Sequence, residues 1–427
     1  MRILVIEITY SGSRRGVHLI RSLLSYGHKI YYLTNVPITK NSNHLFRPKY
    51  REDGVVIVEV PNPRKHLPWK GIFPNVIIQL LNTVLFLFAV IKNLKVYSAV
   101  NLIIARGMHP FTEPPALLLK KLTGASLYLD VCDPLVEDLD VFTSNRLLIK
   151  LGRLAGAMIN VAIYALSDGL MTHTRSMVKV IAKYTRKKVV PIYNAVDTSM
   201  FRPMEKAVAL ERLSGLLPVD EVKNKFVILY SGSMGPCQDL GRVLDAAKLL
   251  SNEGNIVFLL MGAGQERSML VKRVKKEDIT NVLFWPYVPW ELMPYVLNVA
   301  DACVLVLRNH PMYFLALPKK FFEYVACGKP VIAFCPKGEV TRLVERWGAG
   351  VVVDPDDAEG LAEAVRLLSR NRKLVLEMGR NARRMAESLF SLEKIGEQLN
   401  NLLKAALAER KKQDKSPKLK LGYTIRR

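Results

Sequence analysis

The chain has 427 residues, half of them hydrophobic, which is enough for two domains of ordinary size with separate cores and leaves little room for disorder. Lys and Arg number 62 against 38 Asp and Glu, a net charge of +24, so the surface attracts polyanions: nucleic acid, lipid headgroups or phosphorylated substrates. No helix-turn-helix, ribonucleoprotein or zinc pattern accompanies the charge, which argues against nucleic acid, and five scattered cysteines without a C-x-x-C pair argue against a zinc site or a disulfide framework.

In chain order, "MRILVIEITY" reads as a first buried strand rather than a signal peptide, since a cleavage site of small residues is missing. Further strands are expected at "KIYYLT", "VVIVEV", "NLIIAR" and "SLYLDV". In the second half they are expected at "FVILYSG", "IVFLLMG", "NVLFWP", "ACVLVL", "PVIAF" and "GVVVD". Helical patterns lie between them, and this alternation, run through twice, predicts two doubly wound α/β domains. The join is expected in "FRPMEKAVALERLSGLLPVDEVKNK", where apolar periodicity weakens and charge rises. The expected division is 1–203, 204–390, a C-terminal helix at 391–412 that returns to the first domain, and a basic tail at 413–427.

Three glycine loops stand between a strand and a helix. "TYSGSRRGVHLI" offers Gly12, Arg14, Arg15 and Gly16; "ILYSGSMG" offers Gly232, Ser233 and Gly235; "LLMGAGQER" offers Gly262 and Gly264. Each is either a phosphate cradle built from backbone N–H groups or a plain tight turn. A dinucleotide fingerprint would need a third glycine where Arg267 stands, so a nicotinamide cofactor is not expected.

The most informative stretch is "LPKKFFEYVACGKPVIAF". Lys320 and Glu323 are three apart on one helical face, while Phe321, Phe322 and Val325 face a core. Pro318 sets the helix N-terminus, which points its dipole with Lys319 and Lys320 toward a diphosphate and leaves a carboxylate one turn deeper for ribose hydroxyls. A solvated Lys–Glu pair is the competing reading.

Together, "YGHKIYYLT", "PIYNAVDTSMFRP", "MGAGQER", "LFWPYVPWELMPYVLNVADACVLVL" and "LPKKFFEYVACGKPVIAF" resemble the retaining glycosyltransferases of family 4. The likeness is greatest to the subgroup with a P-S-K-x-x-E-Y pattern that builds surface or lipid-linked glycans. The resemblance implies a GT-B fold, two Rossmann-like domains facing across a cleft, and a UDP- or GDP-sugar donor. It implies a hexosyl or N-acetylhexosaminyl transfer without a further cofactor, and no metal is expected because no D-x-D pair stands on a suitable loop. It also implies roles: Lys320 on the donor phosphates, Glu323 on the ribose, Tyr287 and Val288 at the base, and Gly12 and Gly16 near the donor sugar. The chain departs from the family at Leu315, where a second glutamate is common, at Ser233 and Gln238, where Arg and Lys are common, and at Cys132, where a His is common. Lys319, Arg308 and Arg14 are then the nearest candidates for phosphate charge. Asp133 is a candidate for acceptor contact or proton handling, or a helix cap. A GT-B epimerase and a non-catalytic nucleotide-sugar-binding partner are the rival readings.

"RLLIKLGRLAGAMINVAIYALSD" places Arg146, Lys150 and Arg153 on one side of a helix among leucines, as in an interfacial helix. "GIFPNVIIQLLNTVLFLFAVIK" is nearly long enough to span a bilayer, but a span would put two strands of one sheet on opposite sides of it. The expectation is therefore a peripheral protein of the cytoplasmic membrane face, with anionic lipid as a partner and solvated basic faces as the alternative.

Overall fold

The structure, a computed structural model, describes residues 1–8, 14–35, 45, 47–50, 54–63, 72–107, 109–132 and 145–415. Two compact units emerge: unit 1 is Met1–His173, Val180–Ile192 and Gly396–Arg427, and unit 2 is Thr174–Lys179 and Tyr193–Ile395.

Unit 1 runs β1 (Arg2–Ile8), α1 (Arg14–Leu24), β2 (Lys29–Thr34), β3 (Pro48–Tyr50), β4 (Val55–Glu59), α2 (Ile72–Lys92), α3 (Leu94–Tyr97), β5 (Leu102–Gly107), α4 (Glu113–Thr123), β6 (Ser126–Val131), α5 (Arg146–Leu166) and β7 (Gly169–Thr172). Helix α6 (Arg175–Ile181), most of which belongs to unit 2, and then β8 (Val189–Pro191) of unit 1 follow. The sheet order is β3-β4-β2-β1-β5-β6-β7-β8, parallel except for the β3–β4 pair. The apolar runs read from the sequence are buried along nearly their whole length, as parallel strands covered on both faces must be. Strands β3, β7 and β8 escaped the sequence reading. At three or four residues they are too short to show a period.

Unit 2 runs α7 (Lys206–Leu213), β9 (Phe226–Ser231), α8 (Leu240–Leu249), β10 (Ile256–Met261), α9 (Arg267–Lys276), β11 (Val282–Trp285), α10 (Met293–Val299), β12 (Ala302–Val306), α11 (Lys319–Ala326), β13 (Val331–Phe334), α12 (Glu339–Trp347), β14 (Gly350–Val353), α13 (Ala358–Arg370) and α14 (Arg372–Leu389). Its sheet, β11-β10-β9-β12-β13-β14, is wholly parallel. Helix α15 (Leu392–Lys415) starts in unit 2 and clusters with unit 1 from Gly396 onward. There Asn400 Oδ1 meets His28 Nε2 at 2.9 Å.

In each sheet the winding reverses beside one strand: between β1 and β5 in unit 1, and between β9 and β12 in unit 2. Loops leaving the two central strands diverge there, which opens a crevice at their carboxyl ends where ligands of doubly wound folds bind. The fold thus places the segments after β1, β5, β9 and β12 where chemistry is expected.

Candidate active site

At the unit 2 crevice, Gly232 follows β9 with φ 141° and Gly262 follows β10 with φ 148°. Both values favour glycine, and space demands it as well. A Cβ on Gly262 would lie 1.8 Å from the Gly232 carbonyl oxygen, and one on Gly232 would lie 2.8 Å from Lys320 Nζ. The two turns are laced together by Gly232 N–H to Met261 O (3.0 Å) and Met234 N–H to Ala263 O (2.9 Å). Gly264 lies against the Met234 backbone in the same way, and the Ser233 carbonyl accepts a hydrogen bond from the Tyr230 hydroxyl.

Helix α11 supplies the cation. Phe321, Phe322, Tyr324 and Val325 are all buried, which fixes the helix face and leaves Lys320 directed at the Gly232 turn. The Tyr324 hydroxyl anchors this arrangement by accepting the Ser231 N–H at 2.9 Å. Lys320 itself is partly exposed along its stem, yet its Nζ is buried and has no hydrogen-bond partner among the described residues. Burial pushes its amine down to about 7, with Glu323 pulling the other way. A cation with no acceptor beside a glycine turn suits an anionic ligand.

The other candidates of unit 2 lie around this centre. Arg308 follows β12; its N–H donates to the Cys237 carbonyl at 3.0 Å and its side chain is 4.0 Å from Asp239. Lys319 is exposed at the first residue of α11, and Glu323 sits half-buried one turn deeper. Gly235 lies beside the Gln238 amide. Tyr287 is 71 % exposed after β11, whereas the neighbouring Val288 is buried.

In unit 1, Gly12 and Asp133 lie outside the described residues, as does the side chain of Arg14. Gly16 sits in α1, where a Cβ would meet the Glu7 carboxylate at 2.0 Å, so its missing side chain makes room for a buried ion cluster. That cluster was not visible in the sequence. The guanidinium of Arg15 grips Asp130 through two bonds of 2.8 and 2.7 Å; Arg106 bridges Asp130 (3.1 Å) and Glu7; and Tyr32 donates to Glu7. Burial alone would raise the Asp130 carboxyl, but Arg15 and Arg106 hold it below the usual carboxylate range. Two carboxylates and two guanidiniums thus close the carboxyl ends of β1, β5 and β6. Next to them, Arg106 approaches the half-buried Cys132 sulfur at 3.6 Å.

Residues 218–385 match the family described as "Glycosyl transferases group 1". The chain is 25% identical over 395 residues to the "Putative colanic acid biosynthesis glycosyl transferase WcaI" of Escherichia coli (strain K12), covering 86% of this chain and 91% of that protein. Among solved structures it is similar to sucrose-phosphate synthase from Thermosynechococcus elongatus, with a TM-score of 0.70 at 18% identity over 96% of this chain and 99% of that one. It is also similar to Anabaena HepE in complex with UDP, with a TM-score of 0.69 at 14% identity over 95% of this chain and 100% of the other. At such identities the structural likeness speaks for the fold alone.

Proposed function

The chain is a group 1 glycosyltransferase of GT-B fold, and on that premise we propose that it moves a sugar from a UDP- or GDP-sugar to a lipid-linked or polysaccharide precursor at the inner membrane face, with retention of configuration. The observation that carries the donor side is Lys320: a buried Nζ with no acceptor, directed at the Gly232 turn. The acceptor class is supported by the colanic acid pathway in the name of the Escherichia coli relative, and a nucleoside diphosphate by the UDP bound to Anabaena HepE.

As the bond from the anomeric carbon to the diphosphate oxygen breaks, its electron pair stays on the phosphate. The growing charge meets the Lys320 ammonium beside the Gly232 turn. Preorganised donors of this kind supply several kcal/mol in a site where water is scarce. Retention follows when the acceptor oxygen attacks the face the diphosphate leaves, with the departing phosphate taking the acceptor's proton. Glu323, one turn deeper on α11, holds the ribose in ground and transition states alike.

The test is turnover of UDP- and GDP-sugars with a lipid-extract acceptor in excess EDTA, read by NMR of the product's anomeric proton. A product with the donor's configuration is expected. Lys320→Ala should lower kcat and kcat/KM together, and Glu323→Ala should chiefly raise the donor KM. Inversion, turnover that stops in EDTA, or near-wild-type activity of both variants overturns this reading.

A further inference from the structure

A buried ammonium ordinarily bends toward a carboxylate or carbonyl. Lys320 Nζ lies instead 4.0 Å from the centroid of the Tyr230 ring. Tyr230 is fully buried next to the last residue of β9, and its hydroxyl donates to the Ser233 carbonyl, so the plane of the ring is tied to the turn it serves. On its other side the ammonium faces Gly232, where even a methyl would come within 2.8 Å of it. Tyr324, bonded to the Ser231 N–H at 2.9 Å, fixes α11 to the end of β9 and so keeps amine and ring together.

A ring face attracts a cation without accepting any particular N–H. All three ammonium protons therefore remain available, whereas a carboxylate partner would occupy them and have to be displaced. We propose that Tyr230 is a positioning residue of the donor site: its ring holds the Lys320 amine against the Gly232 turn with its N–H groups uncommitted, so an incoming diphosphate gains hydrogen bonds without breaking any. The proposal rests on the donor reading of Lys320. It adds that the affinity comes in part from a residue that touches no substrate.

The test is a double-mutant cycle on the affinity for UDP and GDP, measured by calorimetry with the full chain. Tyr230→Leu should weaken binding about ten- to thirtyfold where Lys320 is present, the scale of a desolvated cation–ring contact, and change nothing further in Lys320→Ala. Tyr230→Phe, which keeps the ring and gives up only the hydroxyl bond to the Ser233 carbonyl, should lose far less than Tyr230→Leu. Should Tyr230→Leu fail to fold, Tyr230→Met keeps most of the volume and takes its place. An equal loss with and without Lys320 makes Tyr230 a core residue only. Tighter binding in Tyr230→Leu means that the ring competes with the donor, and either result overturns the proposal while leaving the donor site standing. Failure of the wild type to bind either nucleotide removes the donor reading together with it.

Discussion

Lys320 carries a charge where the surroundings disfavour it, and that conflict predicts how stability depends on pH. The stem is partly exposed, but the ionising atom is buried, and it is the atom that sets the desolvation cost. The folded amine titrates at about 7 against an ordinary 10.5. Between those values the unfolded chain holds more protons than the folded one, so stability rises with pH across the window, and the cost is fully present below it. Lys320→Met should therefore raise the Tm of the nucleotide-free protein at pH 6 to 7. The gap should close as pH climbs toward 10.5, and a saturating donor nucleotide should reverse it at neutral pH. A gap that stays constant over that range would show that the amine is not poised as described. Lys320 and its glycines were legible in the sequence because helix spacing and a strand-to-helix turn are local patterns. Tyr230 and Tyr324 were not, because a strand tyrosine looks like any core aromatic until the helix that it meets, far along the chain, is in place.

Among the elements, α5 buries little of its own surface. Its buried residues are Gly156, Asn160 and Tyr164, one narrow stripe, while Leu147, Leu151, Leu154 and Met158 are exposed. Both ends are capped: the Asn145 side chain accepts from Leu147 and Leu148 N–H, and Lys187 donates to the carbonyls of Tyr164 and Ala165. In the middle, His109 reaches Asn160 Oδ1 at 2.7 Å and Glu113 Oε1 on α4 at 2.6 Å, with the Tyr164 ring stacked on it. Burial would lower this imidazole, but the Glu113 carboxylate and the two hydrogen bonds raise it above the usual 6.5. The doubly protonated ring donates to both partners, so the latch is complete below 6.5 and is lost as pH rises through the raised folded value. His109→Gln should lower the Tm most at pH 5.5, with the penalty shrinking by pH 9; a penalty independent of pH would refute the latch. The helix itself was legible in the sequence from its apolar spacing. Its latch was not, because "RGMHPFTEPP" gives no sign of which helix His109 will meet. The same holds for Glu7, Arg106 and Asp130: each was read as part of a strand, and their mutual pairing depends on strand order, which periodicity does not encode.

For the molecule as a whole, the question is where a net charge of +24 is spent. The buried Arg15 and Arg106 are matched by Asp130 and Glu7 and add nothing to it. On α5, exposed basic residues coincide with apolar exposure. Arg146, Lys150 and Arg153 lie on the same helix as the four exposed residues, and a cavity of about 680 Å³ is lined by Lys150, Arg153, Leu151, Leu154 and Tyr184. By length and hydropathy α5 is the one described helix apolar enough to cross a bilayer, yet its Asn160 and Tyr164 are used inside unit 1, which favours a helix lying along the surface. Helix α2 is apolar too, but Gln79, Asn82 and Thr83 are buried, and Thr83 bonds the Phe111 carbonyl. On the proposed membrane reading, the exposed leucines would supply buried apolar area and the basic row attraction to anionic lipid. Binding to vesicles containing anionic lipid should therefore exceed binding to neutral ones and fall with salt, since surface charges are screened within about 10 Å at 0.1 M. Replacing Arg146, Lys150 and Arg153 by Ala should cost about 1 kcal/mol each on anionic vesicles and little on neutral ones. Leu151→Asp with Leu154→Asp should weaken both, because it removes the apolar signal. Equal affinity for the two vesicle types, or a triple alanine variant that binds anionic vesicles like the wild type, would mean that the basic row of α5 does not face lipid.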